Sequence, residues 1–302
     1  MNTPTPLPPA EARKGLYYAL ACYTCWGLFP LYWYPINQSA ITADQLLAQR
    51  IVWSALFAIG VLLLSQHKSE FWQVWHKPKL LGALLISAVC IGLNWLIYLW
   101  AITNQHVLDA SLGYFISPLF NVLLGRLVFQ ERLNRWQIAA IGLAGIGILW
   151  LAIPAGQIPW VAISLALSFG FYGLVRKLAP VGALAGLVWE TLLLLPLAAA
   201  YLFYCHNQGQ LIFAELNTLQ TTILLGSGVA TTVPLLLFAA GAKRIPMATL
   251  GMIQYGSPTL QMLLGLWLFG EAFNLNRFIG YVWVWAGVAL FVFGIWYAKQ
   301  HR

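Results

Sequence analysis

The sequence predicts an all-α polytopic membrane protein of ten transmembrane helices, arranged as two inverted five-helix repeats. Three observations predict it: the scarcity of charge, an internal repeat, and the side on which basic residues fall. The chain is 61% hydrophobic and only 8% charged, against roughly 25% charged in a soluble domain. Its apolar runs recur at about 20 residues, the length that crosses a hydrocarbon core of roughly 30 Å. Residues 109–147 carry Ser111-Leu112-Gly113, Ser117-Pro118, Leu123-Leu124-Gly125, Phe129, Glu131, Asn134 and Gly147. Residues 247–287 carry Thr249-Leu250-Gly251, Ser257-Pro258, Leu263-Leu264-Gly265, Phe269, Glu271, Asn274 and Gly287. The offset is 138 before the Ser-Pro pair and 140 from it onward, so two extra residues lie within Met252 to Gly256. Upstream, Val52-Trp53 echoes Val188-Trp189, and Trp100-Ala101 echoes Phe238-Ala239.

The elements follow in order. Residues 1–14 read as a disordered, Pro-rich cytoplasmic lead without the short apolar core of a signal peptide. The first repeat (15–153) holds spans from about Gly15 to Tyr34, Asp44 to Ser65, Leu80 to Ile102, Asp109 to Phe129, and Asn134 to Ile153, the last closed by Pro154 and Gly156. The second repeat (154–302) holds spans from Pro159 to Lys177, Gly182 to Tyr204, Thr218 to Ala242, Pro246 to Phe269, and Asn274 to Ala298. With the amino terminus cytoplasmic, fourteen of the sixteen basic residues fall at cytoplasmic ends: Arg13, Lys14, Lys68, Lys77, Lys79, Arg126, Arg132, Arg135, Arg176, Lys177, Lys243, Arg244, Lys299 and Arg302. Only Arg50 and Arg277 fall toward the other side, so the positive-inside rule puts both termini in the cytoplasm. Five spans per repeat is an odd number, which turns the second repeat upside down. Repeats so related place substrates near the bilayer midplane, where the halves meet.

Trp26-Gly27, the five-plus-five repeat and the Pro…Gly…Glu ending of spans four and nine resemble the EamA-type drug/metabolite transporter superfamily. Within it, the chain is similar to the RarD branch, known as chloramphenicol-sensitivity permeases. The motifs carrying that likeness are Arg50-Ile51-Val52-Trp53-Ser54, Glu190-Thr191-Leu192-Leu193 with Pro196-Leu197-Ala198, Thr232-Val233-Pro234-Leu235, and Gln254-Tyr255. The resemblance covers nearly all the chain after residue 14. It implies secondary transport of small organic metabolites or drugs across a bacterial inner membrane by alternating access, in the export direction. An uptake permease of the same fold remains the rival within that class, and a membrane-embedded enzyme or receptor the rival outside it.

Polar residues inside apolar helices are the candidate site, since each must find a partner in the bundle or face water. Glu190 lies eight residues beyond Gly182, about 12 Å into the span. It reads either as a coupling or substrate-binding carboxylate or as a structural hydrogen-bond acceptor. Arg50 reads as a residue snorkelling to the interface, as an anion binder, or as the partner of Glu190. Asn94 and Tyr98 share a face of span three at i, i+4 spacing. Tyr114, Ser117 and Asn121 flank Pro118; Thr231 and Thr232 precede Pro234; Gln254, Tyr255 and Gln261 flank Pro258. Proline frees a backbone carbonyl, tolerable at membrane depth where it is buried in protein or faces a cavity. These clusters predict a central, moderately polar, aromatic-lined cavity, although any member also serves as interhelical glue.

Other features read as structure. Glu131 and Glu271 lie at helix ends beside basic residues and read as caps. Trp33, Trp72, Trp75, Trp136 and Trp296 read as interfacial anchors, and Cys22-Tyr-Thr-Cys25 as small packing residues. Gly142, Gly145 and Gly147 mark close helix packing, with a homodimer face as an alternative to a monomer. His67, His76, His106, His206 and His301 all fall in loops or the tail, without metal-ligand or catalytic spacing. The expected partners are therefore a small-molecule substrate, the lipid bilayer, and a proton or other coupling ion. No nucleic acid, metal, cofactor or ATP is implied.

Overall fold

The computed structural model describes residues 8–36, 39–103, 107–153, 159–268, 270 and 273–300. Expectations that fell on Pro154, Gly156, Phe269, Glu271, His106, His301 and Arg302 lie outside the described residues, as do the first seven residues of the lead. Among the described residues the chain is all α-helical: α1 (Pro9–Gly27), α2 (Phe29–Trp33), α3 (Ala43–Leu64), α4 (Lys68–Trp75), α5 (Pro78–Thr103), α6 (Val107–Val128), α7 (Arg135–Ala152), α8 (Trp160–Leu178), α9 (Ala183–Asn207), α10 (Thr218–Ala242), α11 (Met247–Gln254), α12 (Gly256–Trp267) and α13 (Leu275–Gln300). A short 3-10 turn, Ile212–Glu215, precedes α10.

Local chemistry sets the ends. Asn134 caps α7 by accepting from the Gln137 backbone N–H at 2.9 Å, while Gln137 Oε1 accepts from the Asn134 N–H at 3.0 Å. Its repeat counterpart Asn274 accepts from the Arg277 N–H at 3.0 Å and opens α13. Asn217 and Gln220 form the same reciprocal box ahead of α10. Side-chain acceptors at these positions satisfy helix N–H groups that have no partner within the helix.

Among the described residues, eight helices are long and apolar enough to cross a membrane: α3, α5, α6, α7, α8, α9, α10 and α13. The structure departs from the expected elements in three places, the first two of which explain why two of the expected spans do not qualify. First, α1 begins at Pro9, inside the lead expected to be disordered, so Glu11, Arg13 and Lys14 lie on it. It ends at Gly27 and gives way to the five-residue α2. Second, the span expected from Pro246 to Phe269 is two helices, α11 and α12, meeting at Tyr255. The break falls at the two extra residues of the second repeat. The equivalent α6 keeps Pro118 inside one continuous helix. Third, the loop after α3 contains the amphipathic α4, whose Phe71 ring stacks on Trp189 at 4.9 Å.

Packing follows the logic of a lipid solvent. Large apolar side chains point outward, with Leu64 91% and Trp267 96% exposed. Small ones fill the contacts between helices, among them Ala19, Ala55, Ala58, Ala140, Ala144, Ala185, Ala239 and Ala242. Lipid tails are as apolar as leucine, so burying leucine between helices gains little, whereas small residues allow close approach. Of the three expected close-packing glycines on α7, Gly147 makes that approach, against the Gly280 carbonyl of α13. Gly142 has no neighbour within 4 Å of a built Cβ.

Besides the extensive contacts of α8 with α6 and of α10 with α3, the main helix pairings are α7 with α13, α3 with α9, α6 with α11, α5 with α8 and α1 with α10. Exchanging the two sequence repeats maps the first three onto themselves and the last two onto each other. One end of the bundle gathers Glu11, Glu70, Glu131, Lys177, Lys243 and Arg244, and is called the basic face below. The opposite end is tied by Gln45, which donates to the Gln210 carbonyl at 2.7 Å, and by Asp44, which accepts from the Tyr201 hydroxyl.

Candidate functional site

Helix α8 carries Tyr172, Gly173 and Arg176 on one buried stripe, so Arg176 points into the bundle while its neighbour Lys177 points elsewhere. The Arg176 side chain is fully buried, and its Nε lies 3.6 Å from Glu190 Oε1. Glu190, only 1% exposed, also accepts from the Ser87 hydroxyl of α5 at 2.5 Å. Arg176 Nη2 donates to the Ala183 carbonyl at 2.9 Å. Gly186 makes the room: a Cβ there would lie 1.9 Å from Arg176 Nη1. Arg176 lies in the last turn of α8, at a helix end as expected, but its side chain turns inward, and Glu190 finds its partner there rather than in Arg50. The missed signal was helical spacing, since residue 176 continues the 172–173 face.

Two lysines latch the basic face. Lys177, in the last turn of α8, donates to the Ala242 carbonyl at 2.7 Å and to that of Ile245 at the end of α10. Lys243, at the end of α10, donates back to the Ala179 carbonyl at 2.8 Å and to that of Val181 after α8. Burial, reinforced by nearby Arg176, brings Lys243 down to about 8. Glu131 caps α11, accepting from the Met247 and Ala248 N–H groups at 2.6 and 3.0 Å. It is a cap as expected, but of a distant helix rather than of its own loop. A carboxylate is favoured there by the helix dipole.

The second cluster lies at the α11–α12 break. Asn121 on α6 donates through Nδ2 to Gln254 Oε1 at 3.0 Å, and the Tyr23 hydroxyl of α1 stands 3.5 Å from the same oxygen. The Tyr255 hydroxyl donates to the Phe115 carbonyl at 3.2 Å. Among the described residues, Ser117 Oγ and Asn121 Oδ1 are buried with no hydrogen-bond partner. The structure thus joins Asn121, Ser117, Gln254 and Tyr255, and adds Tyr23, which sequence reasoning missed. Between this cluster and the basic face lies an aromatic plug of Tyr23, Trp26, Phe169, Tyr172 and Phe238. Phe238 stacks on Tyr172 at 5.6 Å and contacts Phe169 at 5.1 Å.

The third cluster surrounds Arg50. Its Nε donates to Thr231 Oγ1 at 3.3 Å, and its guanidinium carbon lies 5.3 Å from the Trp33 ring and 5.4 Å from the Trp95 ring. Trp33 is therefore more than the interfacial anchor expected. Tyr98 and Tyr114 pack edge to face at 5.9 Å, within electrostatic reach of Arg50. Gly228 permits this arrangement, because a Cβ there would lie 2.3 Å from the Trp53 carbonyl across the α3–α10 contact. Thr232, next along α10, reaches the Ser54 carbonyl at 3.4 Å. Asn94 is spent elsewhere, donating to the Leu165 carbonyl at 2.9 Å and to Ser168 at 3.0 Å on α8.

Residues 13–153 match the model of the EamA-like transporter family. An uncharacterised transporter of Pseudomonas aeruginosa is 42% identical over 95% of this chain and 96% of its own length. Protein RarD of Escherichia coli K12 is 38% identical over 96% of this chain and 97% of its own. The chain belongs to the EamA-like transporter family, in its RarD branch. A chloramphenicol-sensitive protein RarD of Pseudomonas aeruginosa is a more distant EamA relative, 31% identical over 82% of this chain and 83% of its own. A solved protein structure, 18% identical, superposes with a TM-score of 0.68 over 92% of this chain and 96% of that one, a likeness of fold.

Proposed function

We propose that this EamA-family membrane protein is a secondary transporter that moves small organic molecules out of the cell by alternating access between two inverted repeats. In this reading α1 with α2, and α11 with α12, complete ten spans, and the basic face is cytoplasmic in a bacterial inner membrane. Both termini then face the cytoplasm. The export direction follows from the family resemblance.

The observation that carries the reading is the break at Tyr255. A helix interrupted at membrane depth exposes backbone groups that must be buried in protein or line a cavity, and such breaks mark transporter binding sites. Gln254, Asn121, Ser117 and Tyr23 converge there, with Ser117 and Asn121 oxygens still unpaired among the described residues. The symmetric helix pairing supports two interchangeable halves. The latch of Lys177 and Lys243 together with the aromatic plug supports a conformation closed on the basic side. Tyr98, Tyr114, Thr232 and Tyr255 form the walls, while Glu190 serves here as the counter-ion that holds Arg176.

The test is reconstitution. Amino acids, cationic drugs and chloramphenicol-like compounds are screened for thermal stabilisation, since a bound ligand stabilises by mass action. Hits are then measured for counterflow in proteoliposomes. Saturable flux, lost in Gln254→Ala and Asn121→Ala while folding is retained, is the expected result. Binding without flux, or covalent turnover of a hit, would refute the transporter reading.

A further inference from the structure

Resting on the transporter reading, we propose that Arg50 anchors the carboxylate of the transported molecule, so that the substrates are small organic acids with an apolar body. Arg50 sits seven residues beyond the start of α3, about 10 Å along the helix. It does not snorkel outward: its guanidinium turns inward among α2, α5 and α10, against Trp33, Trp95 and Thr231. Thr231 takes Nε, and among the described residues no carboxylate lies within 4 Å of Arg50. Among the described residues neither terminal nitrogen has a hydrogen-bond partner, and a planar fork of that kind matches a carboxylate bidentately.

Arg176, the other arginine whose guanidinium turns into the bundle, is treated differently. The residue equivalent to Arg50 in the second repeat is Gly186, at the offset of 136 that also relates Val52-Trp53 to Val188-Trp189. The space over Gly186 is filled by the Arg176 guanidinium, and there the chain supplies Glu190 as the partner. Where a fixed counter-ion is wanted, the protein carries one. At Arg50 it carries two indole faces and two tyrosines, which hold a cation without neutralising it. Arg50, Trp33, Trp95 and Tyr98 are each half-buried and Tyr114 is 39% exposed. The aromatic walls suit an apolar or aromatic body behind the acid.

The experiment uses purified full-length protein in nanodiscs at constant pH and salt. Benzoate, phenylacetate and indole-3-acetate are each titrated beside their neutral amides, and counterflow of the same probes is measured in proteoliposomes. The expected result is binding of at least one acid tenfold or more tighter than its amide. Arg50→Gln removes that preference and leaves amide affinity unchanged. Arg50→Lys keeps the charge but loses the fork; it weakens acid binding about tenfold, and it carries the test if the Gln variant fails to fold. Equal affinity for acid and amide, no binding of any probe at millimolar concentration, or an acid preference undiminished in either variant overturns the proposal. Acid binding that depends on Arg50 without any flux would instead leave the site standing and overturn the transporter reading.

Discussion

Glu190→Gln is the sharpest probe of the buried charge cluster. The side chain of Arg176 is fully buried and its only charged neighbour within 4 Å, among the described residues, is Glu190 at 3.6 Å. Removing one partner of a buried pair leaves an uncompensated charge, a loss of about 3–5 kcal/mol. Gln preserves the shape and can still accept from Ser87 at 2.5 Å, so the loss reports charge rather than packing. Arg176→Met should destabilise comparably. The double variant should recover most of the loss, because neither position then buries an unpaired charge. Unfolding in mixed micelles, followed through the fifteen tryptophans, gives the three free energies of the cycle. A Gln variant as stable as the parent, with no recovery in the double, would refute the counter-ion role. Loss of pH-driven transport alongside that unchanged stability would make Glu190 a proton carrier.

Three further expectations follow from the geometry. A cytoplasm-active reporter fused after Asn134 should work and one after Asn274 should stay silent, whereas activity in both would sink the inverted repeat. Gly228→Val should force α3 from α10, since the added atoms meet the Trp53 carbonyl; overpacking of this kind destabilises by about 1–3 kcal/mol, and unchanged unfolding would contradict it. Lys243 titrates near 8 when folded against an ordinary 10.5, so the unfolded chain binds more protons between those values and stability should rise with pH across that window. Lys243→Met should flatten the rise in melting temperature between pH 8 and 10, and an identical pH profile would show that another group governs it.

The helices were legible because long apolar runs and their caps are local signals. Thr218–Ala242 appears as expected, and Ala43–Leu64 differs from its expected span by one residue at each end. The two extra residues near Met252 to Gly256 were legible too, yet not their effect, because an insertion can bulge, kink or break a helix. Helical spacing hinted that Arg176 turns inward, but its pairing with Glu190 could not be read from it. Which basic residue faces Glu190 depends on the rotation of α8 about its axis, and rotation is fixed by packing against Phe238 and Gly186. Trp33 misled because an indole at a helix end serves lipid headgroups and an arginine equally well.

The two lysine latches have an evolutionary consequence. Each ammonium is received by main-chain carbonyls, at Ala242 and Ile245 for Lys177 and at Ala179 and Val181 for Lys243. Every amino acid supplies the same carbonyl, so the receiving positions are free to drift while the latch persists. Neither lysine can let go alone, because parting the ends of α8 and α10 withdraws the acceptors of both. Selection on closure therefore falls on two codons and on one distance, the gap between the ends of α8 and α10.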